Sequence, residues 1–393
     1  MKLKKLRFAE FISLFLPLKI MSYLLVQGQQ SMTLDERRNN AYAEALKQVI
    51  TPDSVVLDLG AGLGIHGLLA AQLGAKRVYL VEPEDIIAVT EEIVNANGYG
   101  DRVKCLQGKI EDVHIPEPVD IIISVFTGNF LLEEDLLPSL FYARDQYLKP
   151  GGVMIPSAGI MEAAPAHNPE IYSEEIEVWS ANPHGIIHTP ARAYASQSVY
   201  YYRKKINQSD YLAEPQSLMA LDFYTATHTH CKVSATYAAK VSSLCHGWAG
   251  WFKMKLGDTW LSTAPHEPPL HWSAAFLPLD PPIAVTEGES ITLNLQRPIG
   301  GDWTWTTQTP EAKQQRSTFF AVPMTRKTIR STASSYKPQL SGKGEALLHV
   351  LSNSNGKLSI QELANDLLEK YAAQFKQPQD ALQFVQGISK SYG

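Results

Sequence analysis

The run Val55-Val56-Leu57-Asp58-Leu59 stops at Gly60-Ala61-Gly62-Leu63-Gly64, and a helical apolar pattern follows from Ile65 to Leu73. A strand, a glycine-rich turn and a helix in direct succession constrain this chain more than any other feature. Glycines permit a turn tight enough to bring backbone N–H groups and a helix N-terminus against a ligand. The unit then repeats: Val78-Tyr79-Leu80-Val81 reads as a strand, residues 84–97 as a helix closed by Gly98, and Val119 to Ser124 as another strand. Such alternation predicts an α/β fold with a doubly wound parallel sheet covered by helices on both faces. A helix from about 35 to 50 leads into it, with Ala41, Ala45, Leu46, Val49 and Ile50 at helical spacing.

Beyond Pro156 the texture changes to short alternating runs such as Ile291-Thr292-Leu293-Asn294-Leu295, with prolines between them at 265, 268, 269, 278, 281 and 282. This predicts an antiparallel β-barrel-like domain. A polar linker, Ser331 to Ser341, precedes two helical patterns, Ala346 to Leu351 and Ser359 to Tyr371, the second opened by the capping box Ser359-Ile360-Gln361-Glu362. The expected layout is an N-terminal extension and arm over 1–34, a ligand-binding α/β domain over 35–155, a β domain over 156–330, and a small helical, winged-helix-like domain over 336–393.

Charge and cysteine usage narrow the function classes. Thirty-five Lys+Arg against forty Asp+Glu leave a net charge of −5, so there is no overall basic field for nucleic acid. The three cysteines, Cys105, Cys231 and Cys245, form no C-x-x-C pair, which fits a reducing, cytoplasmic setting. Lys2, Lys4, Lys5 and Arg7 before Phe11 to Leu18 imitate an export signal, but Lys19 interrupts the run and no A-x-A site follows. The segment reads as a dispensable extension or an amphipathic arm, with Met21 as an alternative start. No segment has the apolar length for stable membrane insertion.

Gly62-Leu63-Gly64-Ile65-His66-Gly67 satisfies G-x-G-x-x-G, so a nicotinamide dinucleotide is a formal competitor for the glycine loop. Counted from Gly60, the first glycine after the strand, that fingerprint fails at Ile65. A cofactor without a pyrophosphate, such as S-adenosylmethionine, suits the loop better. Glu82, at the end of the second strand, can hold ribose hydroxyls under either reading.

Val56 to Gly64, Val81-Glu82, Gly108-Lys109-Ile110-Glu111-Asp112, Val119 to Ser124 and Tyr147-Leu148-Lys149-Pro150-Gly151-Gly152 stand in the order found in class I methyltransferases. With Tyr142-Ala143-Arg144-Asp145 and His271-Trp272, residues 22–325 resemble the protein arginine methyltransferases most closely. The resemblance implies a Rossmann-like methyltransferase domain using S-adenosylmethionine, a peptide or protein substrate, and a homodimer whose arm, about 183–215, carries Tyr194, Tyr200, Tyr201, Tyr202 and Tyr211. It implies that Arg38 pairs with the cofactor carboxylate, that Asp58, Gly60, Gly62 and Gly64 form the loop, and that Glu82 holds the ribose. By the same resemblance Ile110 and Glu111 flank the adenine, and Tyr23 and Met32 close over the sulfonium.

The family's acceptor hairpin carries two glutamates. Here Glu134 matches the second and Val125 stands in place of the first; Phe126, Thr127 and Asn129 also depart from the pattern. Loss of one charge-assisted contact is worth about 1.5–3 kcal/mol and points to a smaller or less cationic acceptor, or to a weakened scaffold. Glu133 replaces the missing carboxylate only if the hairpin register slips by one. His271 is expected to pair with Asp35, either holding the arm or accepting a proton. His228-Thr229-His230-Cys231 and Cys245-His246 offer metal-ligand residue types but no zinc spacing, and are read as an ordinary β-domain strand pair with no metal. The last domain, with six lysines and five acids from Tyr336 to Gly393, resembles small helical domains that bind precursor peptides in bacterial peptide-modification pathways.

Overall fold

A computed structural model describes residues 25–392, so Tyr23 and the basic, apolar run before it lie outside the described residues. The chain forms two compact units, the first ending at Val322 and the second beginning at Pro323.

In the first unit, α1 (Val26–Thr33) and α2 (Glu36–Lys47) precede β1 (Val55–Leu59). Then follow α3 (Ile65–Gln72), β2 (Arg77–Glu82), α4 (Ile87–Ala96), β3 (Val103–Gln107), β4 (Val119–Ser124), α5 (Leu137–Tyr147) and β5 (Leu148–Ile155). The five strands pair in the order β3-β2-β1-β4-β5, all parallel. Every residue of β1 is buried, as expected of a central strand covered on both faces. Strand order reverses between β1 and β4, and a crevice opens at such a switch point outside the carboxyl ends of the strands. Gly60, Glu82, Gly108 and Val125 all follow or end strands at that edge.

The β domain begins with β6 (Ala158–Ala166). An excursion through α6 (Pro169–Glu175) and α7 (Arg192–Ala195) returns at β7 (Tyr200–Tyr202), and β8 (Gln216–Asp222) and β9 (Cys231–Ala238) follow. The rest comprises β10 (Ser243–Leu256), β11 (Thr259–Ser262), β12 (Ala274–Val285), β13 (Ser290–Arg297), β14 (Thr304–Gln308) and β15 (Lys313–Ser317). One sheet runs β7-β12-β10-β6-β8 with β11 beside β10; the other runs β15-β14-β13-β9. Trp248, Trp251, Trp305, Phe252 and Phe276 are fully buried in this domain.

Three expectations need correction. Pro278, Pro281 and Pro282 do not separate strands but lie within β12. There β12 shifts register against β10 between Cys245 and Gly247, while its other neighbour, β7, pairs only with residues 274–276, so missing N–H donors are tolerated. Next, the two Cys/His segments are not a strand pair: β9 pairs with β13 in one sheet and β10 with β6, β11 and β12 in the other, while His228 and His230 precede β9 and stack on each other. Finally, the arm tyrosines are only partly free as a contact surface, three being half-buried and one fully buried. Tyr200 to Tyr202 pair with β12, Tyr211 is buried against Trp251, and of the five only Tyr194 is exposed.

The second unit contains α8 (Arg326–Thr332), α9 (Gly342–Asn353), α10 (Ile360–Lys370) and α11 (Pro378–Tyr392). Ser359 and Glu362 form the reciprocal cap that opens α10. Ala346, Val350, Leu363, Leu367, Phe384 and Val385 are buried at its centre.

Candidate active site

The loop after β1 is built from backbone conformations that side chains disfavour: φ is 63° at Gly60, 53° at Gly62 and 78° at Gly64. It is also crossed closely. A Cβ on Gly60 would stand 2.5 Å from the Phe126 ring, and one on Gly62 would stand 2.7 Å from the side-chain oxygen of Gln29 in α1. The Gly62 N–H donates to Glu82 Oε2 at 2.9 Å, and the Glu84 N–H to Oε1 at 3.1 Å, so Glu82 is aimed at the loop by two backbone donors. Burial raises the Glu82 carboxyl above the usual range despite those donors. Asp58 is buried, accepts from the Gly67 N–H at 2.8 Å, and is pushed up by burial to about 7. It therefore fastens the strand to α3.

Arg38 projects from the first turn of α2 and is buried. Its guanidinium donates to the Met32 carbonyl and to Asn39 Oδ1, and lies 6.0 Å from the Trp272 ring. Among the described residues no carboxylate pairs with it, and burial lowers its pKa. Asn39 also donates to the Thr33 carbonyl at 2.8 Å and meets His66 Nε2 at 3.2 Å, while His66 stacks on Tyr42 at 4.1 Å. Burial holds His66 neutral, well below its ordinary pKa.

Asp35 caps α2 by accepting from the Arg38 N–H at 3.1 Å, and its other oxygen accepts from the backbone N–H and Nδ1 of His271. A carboxylate is acceptor-only here, so the imidazole proton sits on Nδ1. Burial depresses His271 to about 4; burial also pushes Asp35 up, but its hydrogen bonds outweigh that and hold it at about 2. The pair is thus a neutral imidazole on an ionised carboxylate, joining the β domain to the start of α2.

After β4 the chain turns back through a hairpin in which Gly128 bridges Leu131. Val125 and Phe126 are half-buried against the core. Glu134 is half-buried and lies over Gly128, where a Cβ would approach its Cγ to 2.7 Å. Glu133 accepts from Trp303 Nε1 at 3.0 Å. Ile110 is buried, whereas Glu111 is exposed and accepts from Ser139 Oγ at 2.6 Å.

Sequence reasoning missed Gln29, Asn39 and Trp303. Gln29 and Asn39 lie in segments that were read, but nothing marks a lone amide as a loop contact before the helices are placed. Trp303 is distant in sequence from the hairpin it holds.

Residues 56–152 match the family described as methyltransferase domain, and residues 159–299 the arginine methyltransferase oligomerization subdomain. Protein arginine N-methyltransferase 6 of Xenopus laevis is 33% identical over 283 residues, covering 69% of this chain and 83% of that protein. The chain belongs to the protein arginine methyltransferase family. A probable protein arginine N-methyltransferase 6 of Arabidopsis thaliana is 32% identical over 316 residues, covering 69% of this chain and 72% of that protein. Among solved structures, the Trypanosoma brucei PRMT1 enzyme–prozyme heterotetrameric complex with AdoHcy superposes with a TM-score of 0.68 at 25% identity, over 75% of this chain and 99% of that one. Arabidopsis thaliana protein arginine methyltransferase 10 gives 0.65 at 26% identity, over 76% and 99%. As a family member the chain is an S-adenosylmethionine-dependent methyltransferase, and the dinucleotide reading of its glycine loop falls away.

Proposed function

We propose that this methyltransferase modifies a nitrogen of a peptide or protein, arginine included, through an acceptor pocket with one carboxylate, Glu134, where its family has two. The observation carrying this reading is the Phe126–Gly60 contact, which sets the acceptor hairpin directly against the cofactor loop.

The residues present fit S-adenosylmethionine. A buried guanidinium with no carboxylate partner among the described residues suits the cofactor's carboxylate, and Arg38 can meet it bidentately. Glu82 retains lone pairs for ribose hydroxyls, Gln29 and Met32 stand on the arm side, and Ile110 offers an apolar wall to the adenine with Glu111 beside it. When bound, the cofactor supplies an electrophilic methyl group on sulfur.

Glu134 accepts hydrogen bonds from the incoming nitrogen group and orients it for in-line attack. Val125 offers no second charge, so a less cationic or smaller group loses less here than a full guanidinium. His271, neutral with its proton directed to Asp35, acts by holding the α1–α2 junction over the site. The exposed Val178, Trp179, Ile186 and Ile187 on the excursion after β6 support a homodimer in which this arm docks on a second copy. No helix among the described residues is long and apolar enough to cross a membrane, and the cysteines are unbridged, which supports action in the cytoplasm.

The test is transfer of labelled methyl from S-adenosylmethionine into a host-cell extract, followed by acid hydrolysis of the labelled material. Methylarginine or another N-methylated residue supports the reading. Label outside nitrogen overturns it, and no transfer despite cofactor binding makes the chain a scaffold.

A further inference from the structure

The acceptor hairpin holds three non-glycine residues at positive φ: Phe130 at 49°, Leu131 at 66° and Asp135 at 55°. Such conformations persist only where the surroundings over-determine them. Phe130 and Leu131 are held by burial. Each sits on a glycine of the β domain, Gly250 and Gly159, whose Cβ atoms would come within 2.5 and 2.6 Å.

Asp135 is held by charge. Both its oxygens accept from Arg297, Nη1 and Nη2 each at 2.6 Å, and Oδ1 also takes the Gly300 N–H at 3.2 Å. Arg297 ends β13, is only 5% exposed, and lies 5.4 Å from the Trp303 ring. That same indole donates to Glu133. Two adjoining groups of one wall, Arg297 and Trp303, therefore grip the residues on either side of Glu134.

We propose that Arg297 and Trp303 are positioning residues of the methyl-transfer site, fixing Asp135 and Glu133 and thereby the backbone that carries Glu134 between them. The inference rests on the reading that Glu134 holds the acceptor. It gives the three consecutive acids different tasks: Asp135 and Glu133 meet Arg297 and Trp303, and successive side chains leave the backbone in different directions. It also gives the planar fork of arginine a reason to be at 297, since a lysine ammonium cannot make two parallel bonds to one carboxylate.

The test compares wild type, Arg297→Lys, Trp303→Phe and Glu134→Gln as full-length proteins. An arginine-rich peptide is the methyl acceptor, and calorimetry with S-adenosylhomocysteine reports the cofactor site. Misplacement of a catalytic group by about 1 Å costs on the order of a hundredfold in rate. Arg297→Lys is expected to lower kcat by about that factor, Trp303→Phe by about tenfold, with S-adenosylhomocysteine affinity within about twofold of wild type. Wild-type kcat in both variants while Glu134→Gln is inactive overturns the clamp alone. Wild-type activity in Glu134→Gln removes the acceptor reading and the clamp with it. Equal loss of cofactor affinity and rate in both variants makes the pair merely structural and also overturns the proposal.

Discussion

His271 Nδ1 lies 3.0 Å from Asp35 Oδ2, and the His271 backbone N–H donates to the same oxygen at 2.8 Å. One oxygen thus receives two donors from a residue far away in sequence, fastening the β domain to the cap of α2. Folding depresses His271 from 6.5 to about 4, so between those values the unfolded chain binds more protons than the folded one. Stability is therefore present above about 6.5 and lost as the pH falls toward 4, by at most about 3 kcal/mol from this group. Asp35, lowered from 3.8 to about 2, adds a loss below 3.8. His66 acts with the same sign, so the contribution of the pair is the difference between wild type and His271→Asn. Thermal melts from pH 7 to 4.5 are expected to show a shallower pH slope in the variant; an unchanged slope refutes the assignment.

Arg38 should dominate affinity for the amino-acid end of the cofactor. Its guanidinium is buried and fixed by the Met32 carbonyl and Asn39, yet pairs with no carboxylate among the described residues. A lost bidentate, charge-assisted contact is worth about 1.5–3 kcal/mol. Arg38→Lys is accordingly expected to weaken S-adenosylhomocysteine binding by roughly ten- to a hundredfold. Calorimetry decides it, and affinity within twofold of wild type would exclude Arg38 from that role.

Much of the α/β domain was legible because strand, glycine and helix signals are local. Val55 to Leu59, the glycine loop and the capping box at Ser359 need only neighbours in sequence to be read. The hairpin after β4 was marked in the sequence by its residue types, Glu134 and Val125, but not by its geometry. Its shape depends on Gly159, Gly250, Arg297 and Trp303, residues that no local pattern connects to it. The arm tyrosines were hard to read for a related reason: an aromatic run such as Tyr200 to Tyr202 suits a contact surface and a strand alike, and here it is a half-buried edge strand beside β12.

Val125 should set acceptor choice. It is half-buried at the mouth of β4, in the position where the resemblance places a carboxylate. Val125→Glu restores a second acceptor of hydrogen bonds to a guanidinium, worth about 1.5–3 kcal/mol. The expected outcome is a roughly ten- to a hundredfold gain in kcat/KM for an arginine peptide, with S-adenosylhomocysteine affinity unchanged. No gain on any arginine peptide would mean that the missing carboxylate is not what limits transfer.

Gly250 should prove intolerant of even one methyl group. Its φ is not in the left-handed region, so the constraint is space rather than backbone: an added Cβ would meet three atoms of the Phe130 ring, the nearest at 2.5 Å. Phe130 cannot swing away, because its ring is fully buried and packs on Trp303 at 5.1 Å. Gly250→Ala is therefore an overpacking change at the base of the acceptor hairpin, and such changes cost about 1–3 kcal/mol. Gly247 offers a comparison in the same strand, where an added Cβ would meet the Leu277 carbonyl oxygen as well as the Phe276 ring. Both variants should lower the melting temperature, but Gly250→Ala should also lower methyl transfer out of proportion, since displacement of Phe130 carries the hairpin and Glu134 with it. Melting curves and kcat measured on the two proteins separate these effects. Equal stability loss with equal activity would show that Phe130 does not transmit packing to the site.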